Sequence, residues 1–184
     1  MKRLMTRKSR IFVAILLPLL LLSASYLYVQ ESHNFHPITD GEAYRSAQLD
    51  REEFEYYIDR YNIKSIINLR GENPETRWYR EELGVSTRRH IKHYDIALSS
   101  SREPTEEDIR KLVEIFRTAP RPVLIHCLAG ADRSGLAAAI WKVIIDKEPK
   151  SEAERQLSLF YGHLPVGKAC AMDRFFRNWD PGGN

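Results

Sequence analysis

The chain has 184 residues, 43% of them hydrophobic and 29% charged, which suits one ordinary domain with an appendage and excludes a disordered chain. Its net charge of +3 comes from the N-terminus, where Lys2, Arg3, Arg7, Lys8 and Arg10 occur with no acid before residue 31. Setting those five aside leaves 23 basic and 25 acidic residues, a body charge of −2, and therefore no electrostatic footprint for nucleic acid.

Residues 1–10 form a basic tail. The next nineteen, IFVAILLPLLLLSASYLYV (11–29), carry no charge and read as an N-terminal transmembrane helix near the lower length for a bilayer span. The cations before it predict a cytoplasmic N-terminus, association with a membrane through 11–29, and an exported body. The competing reading is a signal peptide cut near Ser23–Ser25, which leaves a secreted or periplasmic protein.

Residues 30–37 read as a polar linker and 38–180 as one domain. GEAYRSAQL (41–49) reads as a turn and a strand edge. Residues 50–62 read as a helix capped by Asp50, with Phe54, Tyr57, Ile58 and Tyr61 on one face. The β-branched run 63–69 reads as a buried strand, and 73–84 as a short helix with Pro74 near its start and Gly84 at its end. Residues 86–98 fit a strand or a loop. The segment 104–120 is the clearest helix: Thr105 and Asp108 make a capping box, and Ile109, Leu112, Val113 and Phe116 share a face. PVLIHC (122–127) reads as a buried strand, and 134–147, 151–162 and 168–179 as helices. Strands alternating with helices predict an α/β fold, a mainly parallel central sheet flanked by helices.

The chemistry concentrates in LIHCLAGADRSGLAAA (124–139). Cys127 ends a strand and a helix begins about seven residues later, at the sheet edge where open α/β folds bind ligands. A loop entering a helix N-terminus turns backbone N–H groups and the positive end of the helix dipole toward an anion. Gly130 and Ala131 leave room for one, and Arg133 offers a planar fork of donors to two phosphate oxygens. That setting favours the thiolate of Cys127. A thiolate beneath a bound phosphate is placed to attack phosphorus, and Ser134 to hydrogen-bond the sulfur as it leaves. The loop residues Leu128, Ala129, Gly130, Ala131 and Asp132, with His126 and Arg133, are the candidate substrate-binding set.

The pattern His126-Cys127-(five residues)-Arg133-Ser134, with Gly130 and Gly135, resembles the signature of the cysteine-based protein tyrosine phosphatases, in particular their dual-specificity-like bacterial branch. The resemblance spans approximately residues 36–180, although only the loop is specific. It implies a phosphatase fold, a phosphocysteine intermediate, no metal and no cofactor. By the same resemblance, Cys127 is the nucleophile, Arg133 the phosphate clamp, and Ser134 the partner in breakdown of the thiophosphate. The substrate it implies is a phosphorylated protein or a small phosphoester.

Ester cleavage needs an acid for the leaving oxygen. In the dual-specificity branch this is an aspartate about thirty residues before the cysteine, and Asp95 lies 32 before Cys127, ahead of the polar SSSRE. Glu103 and Asp132 are its rivals, Asp132 being better suited to bracing Arg133 or the loop. Arg45 in YRS faces the pocket or makes a structural ion pair, and Arg70 lines the pocket or anchors a loop. His90 and His93 read as surface residues, since no ligand cluster completes a metal site. His163 reads as a loop contact and Cys170 as an inert helix residue. A lipid or inositol phosphate phosphatase is the alternative enzyme, and an inactive phosphobinding module the alternative of another class.

Overall fold

Short β-branched runs with both faces apolar are suited to a sheet covered on two sides, and that is how this chain uses them. The computed structural model describes residues 12–14, 16, 17, 20 and 33–182, and the chain divides into two units, Met1–Ser32 and His33–Asn184. The second begins with a hairpin, β1 (His36–Thr39) and β2 (Ala43–Ser46), followed by α1 (Arg51–Tyr61), β3 (Ser65–Asn68), α2 (Arg77–Arg88) and β4 (Lys92–Asp95). Then come α3 (Glu106–Thr118), β5 (Val123–His126), α4 (Asp132–Ile144), the single turn α5 (Lys150–Ala153) and α6 (Cys170–Asn178). Among the described residues the sheet has five strands in the order β1-β2-β5-β3-β4. Only the β1–β2 pair is antiparallel.

Alternation along the strands divides the core in two. Ile67, Val123 and Ile125 pack with Ile109, Leu112 and Phe116 of α3, Trp141 of α4 and Phe176 of α6. Ile66, Leu124 and Tyr44 face the other way, onto Phe54 and Ile58 of α1 and Val85 of α2. The capping boxes at Asp50/Glu53 and Thr105/Asp108 both form and fix where α1 and α3 start. In-register pairing then brings Ser46, His126, Asn68 and Asp95 side by side at the C-terminal ends of four parallel strands. This is the edge on which α/β proteins place their sites.

Several expectations are corrected. Residues 33–37 are not linker, because the second unit already begins at His33. Residues 43–46 are a buried interior strand between β1 and β5, not a strand edge. Residues 151–162 are not one helix: after α5 the backbone makes two 3₁₀ turns, 154–156 and 159–161, and Leu159 and Phe160 stay exposed. The physical reason is Arg45, which draws the Gln156 carbonyl to itself and underlies the Tyr161 ring. The anchor expected over 11–29 is also overturned. No helix among the described residues is long and apolar enough to cross a membrane. Residues 12–14, 16, 17 and 20 are helical and exposed, and the rest of 1–32 lies outside the described residues. The membrane-anchored, exported placement is therefore not retained.

The loop joining β5 to α4 lies against β2, and Gly130 makes that possible. It adopts φ 68°, and a Cβ there would stand 2.6 Å from the Ala47 nitrogen and 2.7 Å from the Ser46 carbonyl carbon. Gly41 has a similar φ of 74° but open space around it. Gly41→Ala should cost about 1 kcal/mol, the conformational term alone, and Gly130→Ala at least twice that. Equal losses in denaturant midpoint would show that the loop does not press on β2 as described.

Candidate active site

The loop after β5 is held from behind by four hydrogen bonds from three residues, one carbonyl after another. The Gln48 amide N–H donates to the Leu128 carbonyl at 3.1 Å. Asn34 Nδ2 donates to Ala129 O at 3.1 Å, and also to Tyr161 O at 2.9 Å. Arg45 Nη2 donates to both Gly130 O and Ala131 O at 2.9 Å. In a planar trans peptide the N–H points opposite to the C=O. Drawing four successive carbonyls outward therefore turns the N–H groups of residues 129–132 toward the interior of the loop. No side chain caps the N-terminus of α4, which begins at Asp132, so its first-turn N–H groups remain free for an anion.

Cys127 lies at the floor of this loop and is 2% exposed. Its Sγ is 3.5 Å from the Ser134 Oγ in the first turn of α4. Arg133 Nη1 reaches back to the carbonyls of Leu69 (3.4 Å) and Leu98 (3.3 Å), while its buried Nε has no partner. Leu128 is 59% exposed and forms the outer lip. The structure thus brings Cys127, Arg133, Ser134 and residues 128–132 into one cradle.

Arg45 neither faces the pocket nor makes an ion pair. It is fully buried beneath the loop, with Nη1 donating to Gln156 O (2.8 Å) and Oε1 (3.0 Å) and its guanidinium 4.3 Å from the Tyr161 ring centre. Burial pushes its pKa down to about 10, against the pull of Tyr161, Cys127 and Asp132. Gly135 allows this guanidinium to approach, because a Cβ there would lie 3.0 Å from Nη2.

A second support fixes the C-terminal side of the loop. Fully buried His163 places Nδ1 2.7 Å from Asp132 Oδ1 and Nε2 3.0 Å from Asp173 Oδ2 of α6. Burial disfavours its charge, but the hydrogen bonds to the two carboxylates outweigh that and raise its pKa. Asp132, expected to brace Arg133 or the loop backbone, is instead bonded to the His163 ring. His163 is thus more than a loop contact.

A third network lies behind His126. Glu82 of α2 is completely buried, with Oε1 3.0 Å from His126 Nε2 and 2.7 Å from His93 Nε2, and Oε2 3.0 Å from Gln48 Nε2. His93 Nδ1 lies 3.3 Å from Asp95 Oδ2, so His93 is an interior bridge and not a surface residue. Burial opposes ionisation of Glu82, yet the adjacent His126 and the hydrogen bonds with His126, His93 and Gln48 win and hold it well below the usual carboxylate range. Burial likewise opposes a charged His93, but Asp95 and Glu82 raise it to about 9.

Asp95 is fully engaged. Oδ2 accepts from Tyr79 Oη at 2.8 Å and Oδ1 from Asn68 Nδ2 at 2.7 Å. These bonds, with His93, outweigh burial and lower its pKa. No hydrogen bond or ion pair links it to Cys127 or Arg133. Glu103 is paired with Arg174 on the surface. His90 is exposed, Cys127 and Cys170 are both free thiols, and the described residues contain no cluster able to hold a metal. Sequence reading missed Asn34, Gln48 and Glu82. Glu82 carried the one usable signal, a carboxylate on the apolar side of α2 beside Tyr79, Val85 and Ser86.

Comparison with known proteins meets this geometry at the family level. A strand-end cysteine in a loop of inward N–H groups is the arrangement of the cysteine-based protein tyrosine phosphatase superfamily. The family described as DSP-PTPase phosphatase fused to NAD+ kinase matches residues 25–172, and the chain belongs to it. The inositol diphosphatase SIW14 of Saccharomyces cerevisiae is 33% identical over 100 residues, which are 52% of this chain and 34% of the yeast protein. The chain thus matches about a third of that relative's length. The core catalytic domain of SIW14 in complex with citrate superposes with a TM-score of 0.63 at 27% identity, covering 80% of this chain and 85% of that one. TpbA of P. aeruginosa superposes with a TM-score of 0.66 at 19% identity, covering 83% and 89%, a likeness of fold.

The buried histidine network should be visible in stability. The folded pKa of His93 lies above its ordinary 6.5, so its contribution is full below about pH 6.5 and is lost as pH rises through about 9. Glu82 and Asp95 are depressed, and their contributions are present above their ordinary range and lost as pH falls. Tm should decline between pH 7 and pH 10, and His93→Asn should flatten that decline while lowering Tm at neutral pH. A variant with the wild-type alkaline slope would remove His93 from the account.

Proposed function

We propose that the domain is a phosphomonoester hydrolase of the tyrosine and dual-specificity type, working through a phosphocysteine intermediate. The observation that supports it most is the outward bracing of the carbonyls of residues 128–131 around Cys127. A phosphoryl group seated there is held by loop N–H groups and by the fork of Arg133. Cys127 Sγ forms a bond to phosphorus as the bond to the leaving oxygen breaks. Water then attacks phosphorus, the S–P bond breaks, and the electron pair returns to a sulfur supported by the Ser134 hydroxyl. His126, fixed by Glu82, holds the strand end from which Cys127 projects.

In this reading Asp95 is a strut and not the proton donor. An acid must carry a proton at working pH, and against the effect of burial the bonds of Asp95 with His93, Tyr79 and Asn68 lower its pKa and occupy both its oxygens. Leaving groups that depart without a proton are then handled best. Aryl oxides are one class and the phosphate released from a diphosphate is another. That observation, together with the resemblance to an inositol diphosphatase, favours a second reading in which the substrate is an inositol or other diphosphate. The structural likeness to TpbA, which has been solved with phosphotyrosine, favours the phosphoprotein reading through the fold alone.

The test is hydrolysis of p-nitrophenyl phosphate by the full chain in chelator. Cys127→Ser should lose at least about a thousandfold in kcat, and Arg133→Lys roughly a hundredfold or more. Loss of a general acid costs about 10²–10⁴, so Asp95→Asn should fall by less than about tenfold on alkyl phosphates. A larger fall, confined to poor leaving groups, would restore Asp95 as the acid. An inactive wild type under reducing conditions would leave a phosphobinding module.

A further inference from the structure

We propose that Arg70, held against the face of Trp78, forms a second anion subsite beside the Cys127 loop and selects substrates carrying a second phosphate next to the one removed. This rests on the reading of the loop as a phosphate cradle. Arg70 follows the C-terminal end of β3, the strand adjoining β5. Its neighbour Leu69 donates its N–H to His126 O at 2.9 Å and accepts from Arg133 Nη1 at 3.4 Å. The backbone N–H of Arg70 is itself fixed to Asn68 Oδ1 at 2.9 Å. Residue 70 is therefore placed immediately beside the nucleophile's strand and its arginine.

The side chain is equally fixed. Its guanidinium lies 3.7 Å from the Trp78 ring centre, and Nη1 donates to Gln48 Oε1 at 2.9 Å. Gln48 cannot turn its amide over, because Nε2 is committed to buried Glu82, while its own backbone N–H holds Leu128 O. Gln48 thus links the guanidinium to the lip of the cradle. Nε and Nη2 of Arg70 have no protein partner among the described residues, and the side chain is only half-buried.

Charge completes the case. Among the described residues no carboxylate forms an ion pair with Arg70 or with Arg133. After burial, the Arg133 charge is the main influence pushing the Arg70 pKa down. Glu82 and Cys127 act in the opposite direction without reversing the shift, and a second anion beside the two guanidiniums relieves their mutual repulsion. Arg70 stacked on an indole, with two donors free, presents the planar fork that phosphate oxygens accept. A single phosphate would occupy the loop and leave this fork empty. A diphosphate, or two adjacent phosphates on one scaffold, would fill both.

The experiment is calorimetric titration of the full chain, with Cys127→Ser as background so that nothing turns over, using orthophosphate and inorganic pyrophosphate as probes. One charge-assisted contact is worth about tenfold or more in affinity. Pyrophosphate should therefore bind at least about tenfold more tightly than orthophosphate, and adding Arg70→Gln should bring the ratio of the two Kd values below roughly threefold. Arg70→Lys, which keeps the charge but not the fork, should keep an intermediate ratio. If Arg70→Gln does not fold, Trp78→Leu reads the same ratio and should lower it. A background ratio near one, or a ratio that Arg70→Gln leaves unchanged, overturns the subsite. Because the readout is binding, it stands apart from loss of p-nitrophenyl phosphate turnover, which would instead overturn the phosphatase reading.

Discussion

Everything at the candidate site depends on one buried guanidinium. Arg45 lies in an interior strand, fully enclosed, and distributes four hydrogen bonds among Gly130, Ala131 and Gln156. A buried charge without a carboxylate partner is costly unless its donors are satisfied. Here both terminal nitrogens are satisfied, Nη1 by the Gln156 carbonyl and side-chain oxygen and Nη2 by Gly130 O and Ala131 O, carbonyls of the loop that must present its N–H groups elsewhere. The same side chain therefore offsets its own desolvation and sets the peptide orientation of the cradle. Its bond to the Gln156 carbonyl accompanies the loss of helical geometry over 154–161, and its close approach explains why position 135 is glycine.

The two buried imidazoles divide the remaining work. His163 ties Asp132 to α6, so the start of α4 is anchored to the C-terminal part of the domain. His93 ties Glu82 to Asp95, so the strand ends β5, β3 and β4 are cross-linked beneath α2. Each imidazole sits between two carboxylates, an arrangement that rigidifies when every lone pair is met. The consequence for chemistry is that the acidic residues near the site are occupied as struts. Arg133 and Arg70 carry positive charge at the cradle, while Asp95 accepts from Tyr79 and Asn68 and Asp132 is held by His163.

Much of this was legible in the sequence, for reasons that can be named. The 3.6-residue periodicity of 106–118 and its capping box are local signals, and the structure follows them closely. The Cys127–Arg133 spacing is likewise contained in one loop and one helix turn. What could not be read was long-range. Asn34 sits 95 residues from the carbonyl it holds, and Arg45 some 85 from Gly130. Asp95 matched the expected spacing from Cys127, but spacing cannot reveal that Tyr79 and Asn68 already claim both its oxygens. Residues 151–162 have helical composition, and tertiary bonding to Arg45 overrides it. His93 looked polar and exposed only because Glu82, its partner, lies on a helix eleven residues away.

The most direct test of the central claim, that Cys127 takes the phosphoryl group inside the braced loop, is rapid-quench mass spectrometry of the Ser134→Ala chain mixed with p-nitrophenyl phosphate. Without the hydroxyl beside Sγ, breakdown of the intermediate should slow more than its formation. The account predicts a single phosphoryl adduct, mapped to the peptide containing Cys127, that rises in the first turnover and decays with product release. Steady product formation with no adduct on Cys127 would contradict it.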